Sequence, residues 1–278
     1  MKLILRLAVL MMVLMIGSAR SFAAVENRSY FPPVLIYHDV KPQVVIEGFD
    51  VSIKEFCYQL DWLKAHGWRT LSTDEFIGYL ERGEPFPKKT FMITFDDDYG
   101  GVGKYAAKEL EARGMNAVLF VIVDSIGEPL SRREYYHASA EELKALASSR
   151  TFTLESHTMS HPEFLTRLSD EELEREVAES KLRVEDLSGR SVKLFSYPCG
   201  DYDQRVIDAV IDAGYSAAVI VDILDAGDFD RPARWSIPRI NMGVVVGSYG
   251  HRRFKSFMHH YGSMSDEEFA ERWARLPH

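Results

Sequence analysis

Short apolar runs alternate with amphipathic stretches along the chain, and the two periods call for different elements. Val34-Leu35-Ile36-Tyr37, after Pro32 and Pro33, is a continuous apolar run of the kind that forms a buried strand, and it ends on His38 and Asp39. From Ser52 to His66 the apolar positions Ile53, Phe56, Leu60 and Leu63 recur at helical spacing, Gly67 ends the pattern, and Ser52 with Glu55 has the form of a capping box. The alternation predicts a strand near Trp68 to Leu71, a helix from about Thr73 to Glu81, and a strand from Thr90 to Phe95 that runs into Asp96, Asp97 and Asp98. A helix from Val102 to Arg113, a β run from Ala117 to Val123, a loop from Ser125 to Tyr136 and a helix from Ala140 to Ala147 follow.

Strand Thr151 to Glu155 then delivers Ser156, His157 and His161, with Pro162 forbidding a helix through the pair. A long polar helix, Ser169 to Leu187, feeds strand Val192 to Ser196 and the turn Tyr197-Pro198-Cys199-Gly200. Helix Gln204 to Ala213, strand Tyr215 to Val221 and a last strand-like piece at Ile237-Pro238-Arg239-Ile240 complete the pattern. Repeated βα units imply parallel strands with helices outside, either doubly wound or closed into a barrel. In both, functional groups gather where strands hand over to loops, and His38, Asp96 to Asp98, His157 and Arg239 all stand at such handovers.

The first residues have a different pattern. Lys2 and Arg6, an apolar run from Leu7 to Ile16, and small residues around Ser21, Phe22 and Ala23 have the layout of a secretory signal peptide over residues 1–24. The run is shorter than the roughly 20 residues that cross a hydrocarbon core, so no stable membrane insertion is expected. Cleavage would also remove Lys2, Arg6 and Arg20, leaving a domain over 25–278 three charges more negative than the −9 of the whole chain. So acidic a chain, without a basic stripe, has no electrostatic means of holding nucleic acid. Cys57 and Cys199 sit in different packed elements and predict no disulfide framework.

Three adjacent carboxylates at the end of an apolar strand repel one another unless a cation or donors compensate. Two histidines four residues apart after another buried strand can converge on one ion, although such spacing also arises in surface or core histidines. The runs Thr94-Phe95-Asp96-Asp97, His157-Thr158-Met159-Ser160-His161-Pro162 and Tyr197-Pro198-Cys199-Gly200 resemble, in order and spacing, the first three motifs of the NodB-like polysaccharide deacetylases, the family 4 carbohydrate esterases. The start, Leu35-Ile36-Tyr37-His38-Asp39-Val40, resembles the circularly permuted branch that acts on poly-β-1,6-N-acetylglucosamine.

The resemblance implies a distorted (β/α) barrel of about seven strands in a single domain, with a C-terminal tail from about residue 243. It implies metal ligands Asp97, His157 and His161, with zinc the first choice of divalent metal and cobalt or nickel acceptable. It implies Asp96 as catalytic base, His38 as acid, Cys199 as a backbone oxyanion donor and Arg239 as the group that keeps Asp96 ionised. The partner implied is a surface polysaccharide outside the cytoplasm, in the periplasm or beyond it; nothing in the sequence speaks to oligomeric state.

Two positions depart from the family pattern. Asp98 replaces a glycine and adds a competing ligand, and Cys199 replaces an aromatic residue. They keep open a polysaccharide-binding protein without turnover, and an O-acetyl glycan esterase is a further alternative. Trp235 and Tyr202 are candidate sugar-stacking faces or core, and the tail histidines His251, His259 and His260 are assigned to surface or packing.

Overall fold

The computed structural model describes residues 31–130, 135–220, 234–245 and 247–263. The leader expected over 1–24 lies outside these residues, and so does Asp266 to Ala274, a stretch of the tail whose sequence predicts a helix. Strands β1 (Val34–Tyr37), β5 (Thr90–Phe95) and β6 (Ala117–Val121) are buried at every position, as parallel strands covered on both faces must be. With β7 (Phe152–Ser156), β8 (Leu194–Ser196), β9 (Ala217–Val219) and β10 (Ile240–Asn241) they form one parallel sheet in the order β10-β1-β5-β6-β7-β8-β9, and β4 (Arg69–Thr70) pairs beside β5.

The sheet curls into a barrel, and one segment brings its ends together. Ile237 bridges to Val219 and exchanges hydrogen bonds with Ala218 and Ile220 of the β9 side, while Ile240 and Asn241, only a few residues on, pair with Leu35 and Ile36 of β1. The seven-strand barrel read from the motifs is therefore the observed architecture.

The helices are α1 (Ile53–Ala65), α2 (Thr73–Arg82), α3 (Ala107–Arg113), α4 (Ala140–Ser148), α5 (Asp170–Glu174), α6 (Ser180–Ser188), α7 (Gln204–Asp212) and α8 (Gly247–Ser263). None among the described residues is long and apolar enough to cross a membrane. Most fall where the periodicity predicts, with corrections. The helix expected from Val102 is a π turn over Val102–Ala106 before α3, and the long polar helix is α5 and α6 joined by a π turn over Arg175–Glu179. At α1 only half of the capping box forms: Ser52 accepts from the Glu55 N–H, while the Glu55 side chain instead takes Gln59 and His251.

The tail carries helix α8, which the sequence did not reveal. Its Phe254 packs edge-on against Trp62 of α1, and the Tyr261 hydroxyl donates to the Phe31 carbonyl. His251 pairs with Glu55 and stacks on Tyr58, whereas His259 and His260 are exposed. A short parallel ribbon, β2 (Asp39–Lys41) with β3 (Asp50–Ser52), was also unexpected; it sits at the C-terminal end of β1. Both cysteines are free.

Strands β7 and β8 share a single paired position, Ser156 with Phe195, and a side chain supplements it. Glu155 Oε2 accepts the N–H groups of Lys193 and Leu194, each at 2.7 Å. Complete burial pushes the Glu155 carboxyl up to about 8, against the pull of these donors. Between the ordinary carboxyl range and about 8 the folded chain thus keeps a proton that the unfolded chain has lost. This contribution to stability is present at acid pH and disappears as pH rises through about 8. Denaturant unfolding of wild type and Glu155→Gln from about pH 5 to about pH 9 should show wild type losing stability relative to the variant, by up to about 1.4 kcal/mol per pH unit. Parallel curves would mean that Glu155 is ionised in the native state.

Candidate metal and catalytic site

Parallel strands in one curled sheet bring their C-terminal ends to one mouth, and there the sequence-predicted residues meet. Tyr37 is in register with Phe95, so His38 and Asp96 leave neighbouring strands at one level, and the Asp96 N–H donates to the Tyr37 carbonyl at 3.0 Å. β7 delivers His157 and β8 ends on Ser196, before the turn that contains Cys199.

Asp96 is buried inside the barrel and held by Arg239, which is itself fully buried. Nη1 and Nη2 each reach one carboxylate oxygen at 2.6 Å. The remaining guanidinium donors go to Thr94 Oγ1, Ser196 Oγ and the Ile220 carbonyl, so all five N–H groups are used. Burial works to raise the Asp96 pKa, but Arg239 and His157 outweigh it and hold the carboxyl below its ordinary value.

Asp97, His157 and His161 converge, with their ligand atoms within 4.8 Å of one another. Asp97 Oδ1 is 3.4 Å from His157 Nε2 and 3.6 Å from His161 Nε2, near enough for attraction, yet it is buried without a hydrogen-bond partner. The His157 Nδ1 faces the Ser196 carbonyl at 2.8 Å, which fixes the tautomer and leaves Nε2 as a lone-pair donor toward Asp97. Burial opposes ionisation of Asp97, and the surrounding imidazoles overcome it, holding the carboxyl well below its usual range. A buried, unprotonated oxygen with no donor, beside two imidazole nitrogens, is a fitting set for a divalent cation with positions left open.

His38 is half-buried; its Nδ1 has no hydrogen-bond partner, and its ring stacks on Phe49 at 4.2 Å. Burial lowers its pKa, with Asp97 and Asp96 acting the other way. Cys199 has φ +54°, and no hydrogen bond among the described residues uses its N–H, whereas the next two N–H groups go to the Tyr197 and Pro198 carbonyls.

Asp98 is not a competing ligand. It is turned away from the triad, accepts from the Ile122 N–H at 3.0 Å and from Ser125 Oγ, and lies 3.4 Å from His137 Nδ1. The same nitrogen is 2.9 Å from the Asp97 carbonyl. His137, Phe49 and Ser196 were missed from the sequence, since a lone histidine beyond a loop, a single aromatic and a strand serine carry no pattern. Tyr202 stacks on Tyr197 and Trp235 packs half-buried against the core, which favours packing roles for both.

Residues 83–218 match the family model described as polysaccharide deacetylase. A Bacillus subtilis relative named as a polysaccharide deacetylase, YxkH, is 30% identical over 190 residues, covering 68% of this chain and 64% of its own. The poly-β-1,6-N-acetyl-D-glucosamine N-deacetylase of Staphylococcus aureus is 26% identical over 180 residues, 61% of this chain and 60% of that protein. The chain thus spans less than two thirds of the length of these relatives. Among solved structures, IcaB from Ammonifex degensii superposes with a TM-score of 0.70 at 23% identity, covering 83% of this chain and 98% of that one, which supports the fold.

Removing one partner of a buried ion pair leaves the other uncompensated. Arg239→Met should therefore cost about 3–5 kcal/mol in denaturant unfolding. The double variant Arg239→Met with Asp96→Leu should recover much of that loss, and a double variant no more stable than the single one would show that packing, not the stranded charge, sets the cost.

Proposed function

We propose, on the premise that this chain belongs to the polysaccharide deacetylase family, that it hydrolyses N-acetyl groups of an N-acetylglucosamine-containing surface polysaccharide, with poly-β-1,6-N-acetylglucosamine the first candidate. The observation that carries this reading is the placement of Asp97, His157 and His161 next to a second carboxylate that Arg239 has already paired. The reading goes with export to the periplasm or cell exterior, where such a polymer lies.

A divalent metal held by Asp97, His157 and His161, zinc first with cobalt or nickel acceptable, would polarise the acetyl carbonyl and acidify the attacking water. Asp96 accepts that water's proton. Its depressed pKa keeps it ionised at neutral pH but makes it a weak base, which suits an acidified water. Arg239 holds Asp96 in one orientation through two bonds and so acts as a positioning residue. The Cys199 N–H donates to the developing oxyanion, a role that needs the backbone and tolerates a cysteine side chain.

His38, which leaves the strand next to that of Asp96, supplies a proton to the departing amine, and stacking on Phe49 fixes its ring plane. Asp98 faces His137, which removes one ground for reading the chain as a binding protein without turnover.

Acetate release from β-1,6-linked N-acetylglucosamine oligomers should disappear after chelation and return with zinc, cobalt or nickel. Asp96→Asn should lower it by about 10²–10⁴-fold while retaining metal. Asp97→Asn should lose both activity and bound metal, measured by elemental analysis after dialysis. Release that survives chelation would sink the metal reading, and oligomers bound without any release would return the binding-protein alternative. An O-acetyl esterase would release acetate from acetyl esters and leave these amides intact.

A further inference from the structure

The segment from Tyr136 to Ala138 is clamped to the end of the aspartate run. The Gly100 N–H donates to the Tyr136 carbonyl at 2.9 Å and the Ala138 N–H to the Asp98 carbonyl at 2.8 Å, with Tyr99 and His137 paired antiparallel between them. A Cβ at Gly100 would overlap the Tyr136 ring, so the glycine lets the two segments close on each other.

The clamp presents the buried His137 ring to the turn that carries Asp97. Nδ1 is 2.9 Å from the Asp97 carbonyl, which can only accept, so this nitrogen carries the hydrogen and donates it. Asp98 Oδ2, 3.4 Å from the same nitrogen, favours that tautomer. Asp97 (φ +69°) and Asp98 (φ +41°) are both left-handed, a conformation that residues with a Cβ keep only when their surroundings hold them in it.

The face of the same ring begins a row of four. His137 stacks on Tyr99 with centroids 5.3 Å and planes 19° apart, Tyr99 meets Phe49 edge-on at 5.5 Å, and Phe49 stacks on His38 at 4.2 Å. One histidine thus reaches the turn of a metal ligand by its edge and the ring of the proton donor by its face.

We propose that His137 is a positioning residue for both halves of the reaction, with Asp98 as its anchor. Its Nδ1–H fixes the turn that aims Asp97 at the metal, and its ring, through Tyr99 and Phe49, fixes the plane of His38. The inference rests on the deacetylase reading for the roles of Asp97 and His38. Partners that orient a ligand are worth about 10–100-fold in metal affinity or activity. Glycine would suit the backbone at position 98 better, and the hold on His137 is what an aspartate adds there.

Two substitutions divide the two tasks. His137→Asn keeps an amide N–H about where Nδ1 donates and removes the ring, whereas His137→Phe keeps a ring and removes the donor. Phenylalanine alone would deprive the buried Asp98 of a partner, so the double variant Asp98→Gly with His137→Phe removes donor and anchor together. Zinc affinity of the whole protein, read by competition with a chromophoric chelator, should fall about tenfold or more in the double variant and stay within about threefold of wild type in His137→Asn. Acetate release from β-1,6-linked N-acetylglucosamine oligomers by zinc-saturated His137→Asn should show an unchanged KM and a kcat lowered about fivefold or more. Unchanged zinc affinity in the folded double variant, an equal loss in His137→Asn, or an unchanged kcat in His137→Asn would each overturn the proposal. The last two still decide if the double variant does not fold. Zinc affinities that divide as expected in a protein whose wild type releases no acetate keep His137 as the residue that positions Asp97 and sink the deacetylase reading. Acetate release with affinity and kcat unchanged in the variants does the reverse, and a wild type that binds no zinc sinks both.

Discussion

The ion pair between Arg239 and Asp96 is the constraint on which the mouth of the barrel depends. Two charges this deeply buried are costly to desolvate, and they persist only when every donor and acceptor is satisfied. Here all five guanidinium N–H groups have partners, and those partners come from β5, from Ser196 at the end of β8 and from Ile220 just beyond β9. Arg239 itself lies in the segment that touches β9 at Ile237 and β1 at Ile240. Closing the sheet and fixing the carboxylate are thus a single structural event, and a chain that closed without this pair would strand a charge inside.

A second feature of the site is its backbone. Asp97, Asp98, Thr158, His161 and Cys199 all have positive φ, a region that non-glycine residues seldom enter and that costs on the order of 1–2 kcal/mol each. The surroundings hold these residues in place. Thr158 Oγ1 accepts the His161 N–H, and Glu176 accepts the N–H groups of Met159 and Ser160 and the Ser160 hydroxyl. Glu176 sits in the π turn between α5 and α6, so the extra residue in that helix aims a carboxylate at the histidine loop. Strain at the ligands is balanced by hydrogen bonds from elements that bear no ligand.

Much of this was legible from the chain. Continuous apolar runs marked β1, β5 and β6, and the polar residues that end them marked the mouth, because burial on both faces leaves the strand end as the natural place for a charge. The parts that were not legible depend on contacts distant in sequence. The β2–β3 ribbon has three residues in each strand, too few for any periodicity, and is held by Asp50, which takes the Val45 and Ile46 N–H groups and the Tyr135 hydroxyl. Helix α8 opens on Gly247 and includes Gly250 and Gly262, so its residue preferences argue against a helix that packing on α1 nonetheless supports. The π turns follow a helical apolar pattern closely enough to be read as plain helix.

The aspartate triplet shows why spacing alone could not assign roles. Three successive carboxylates in one buried stretch would be untenable if they faced the same way. Left-handed backbone at Asp97 and Asp98 sends the three side chains in three directions. Asp96 is consumed by Arg239, Asp98 by His137, Ser125 and the Ile122 N–H, and only Asp97 presents a buried oxygen that no donor satisfies. The neighbours on either side are neutralised by partners of their own, so the unmet negative charge of the stretch is concentrated at one atom, facing two imidazole nitrogens. The residue that looked most disruptive in the sequence, Asp98, does the opposite: through His137 it helps hold the Asp97 carbonyl, and with it the turn that aims this oxygen.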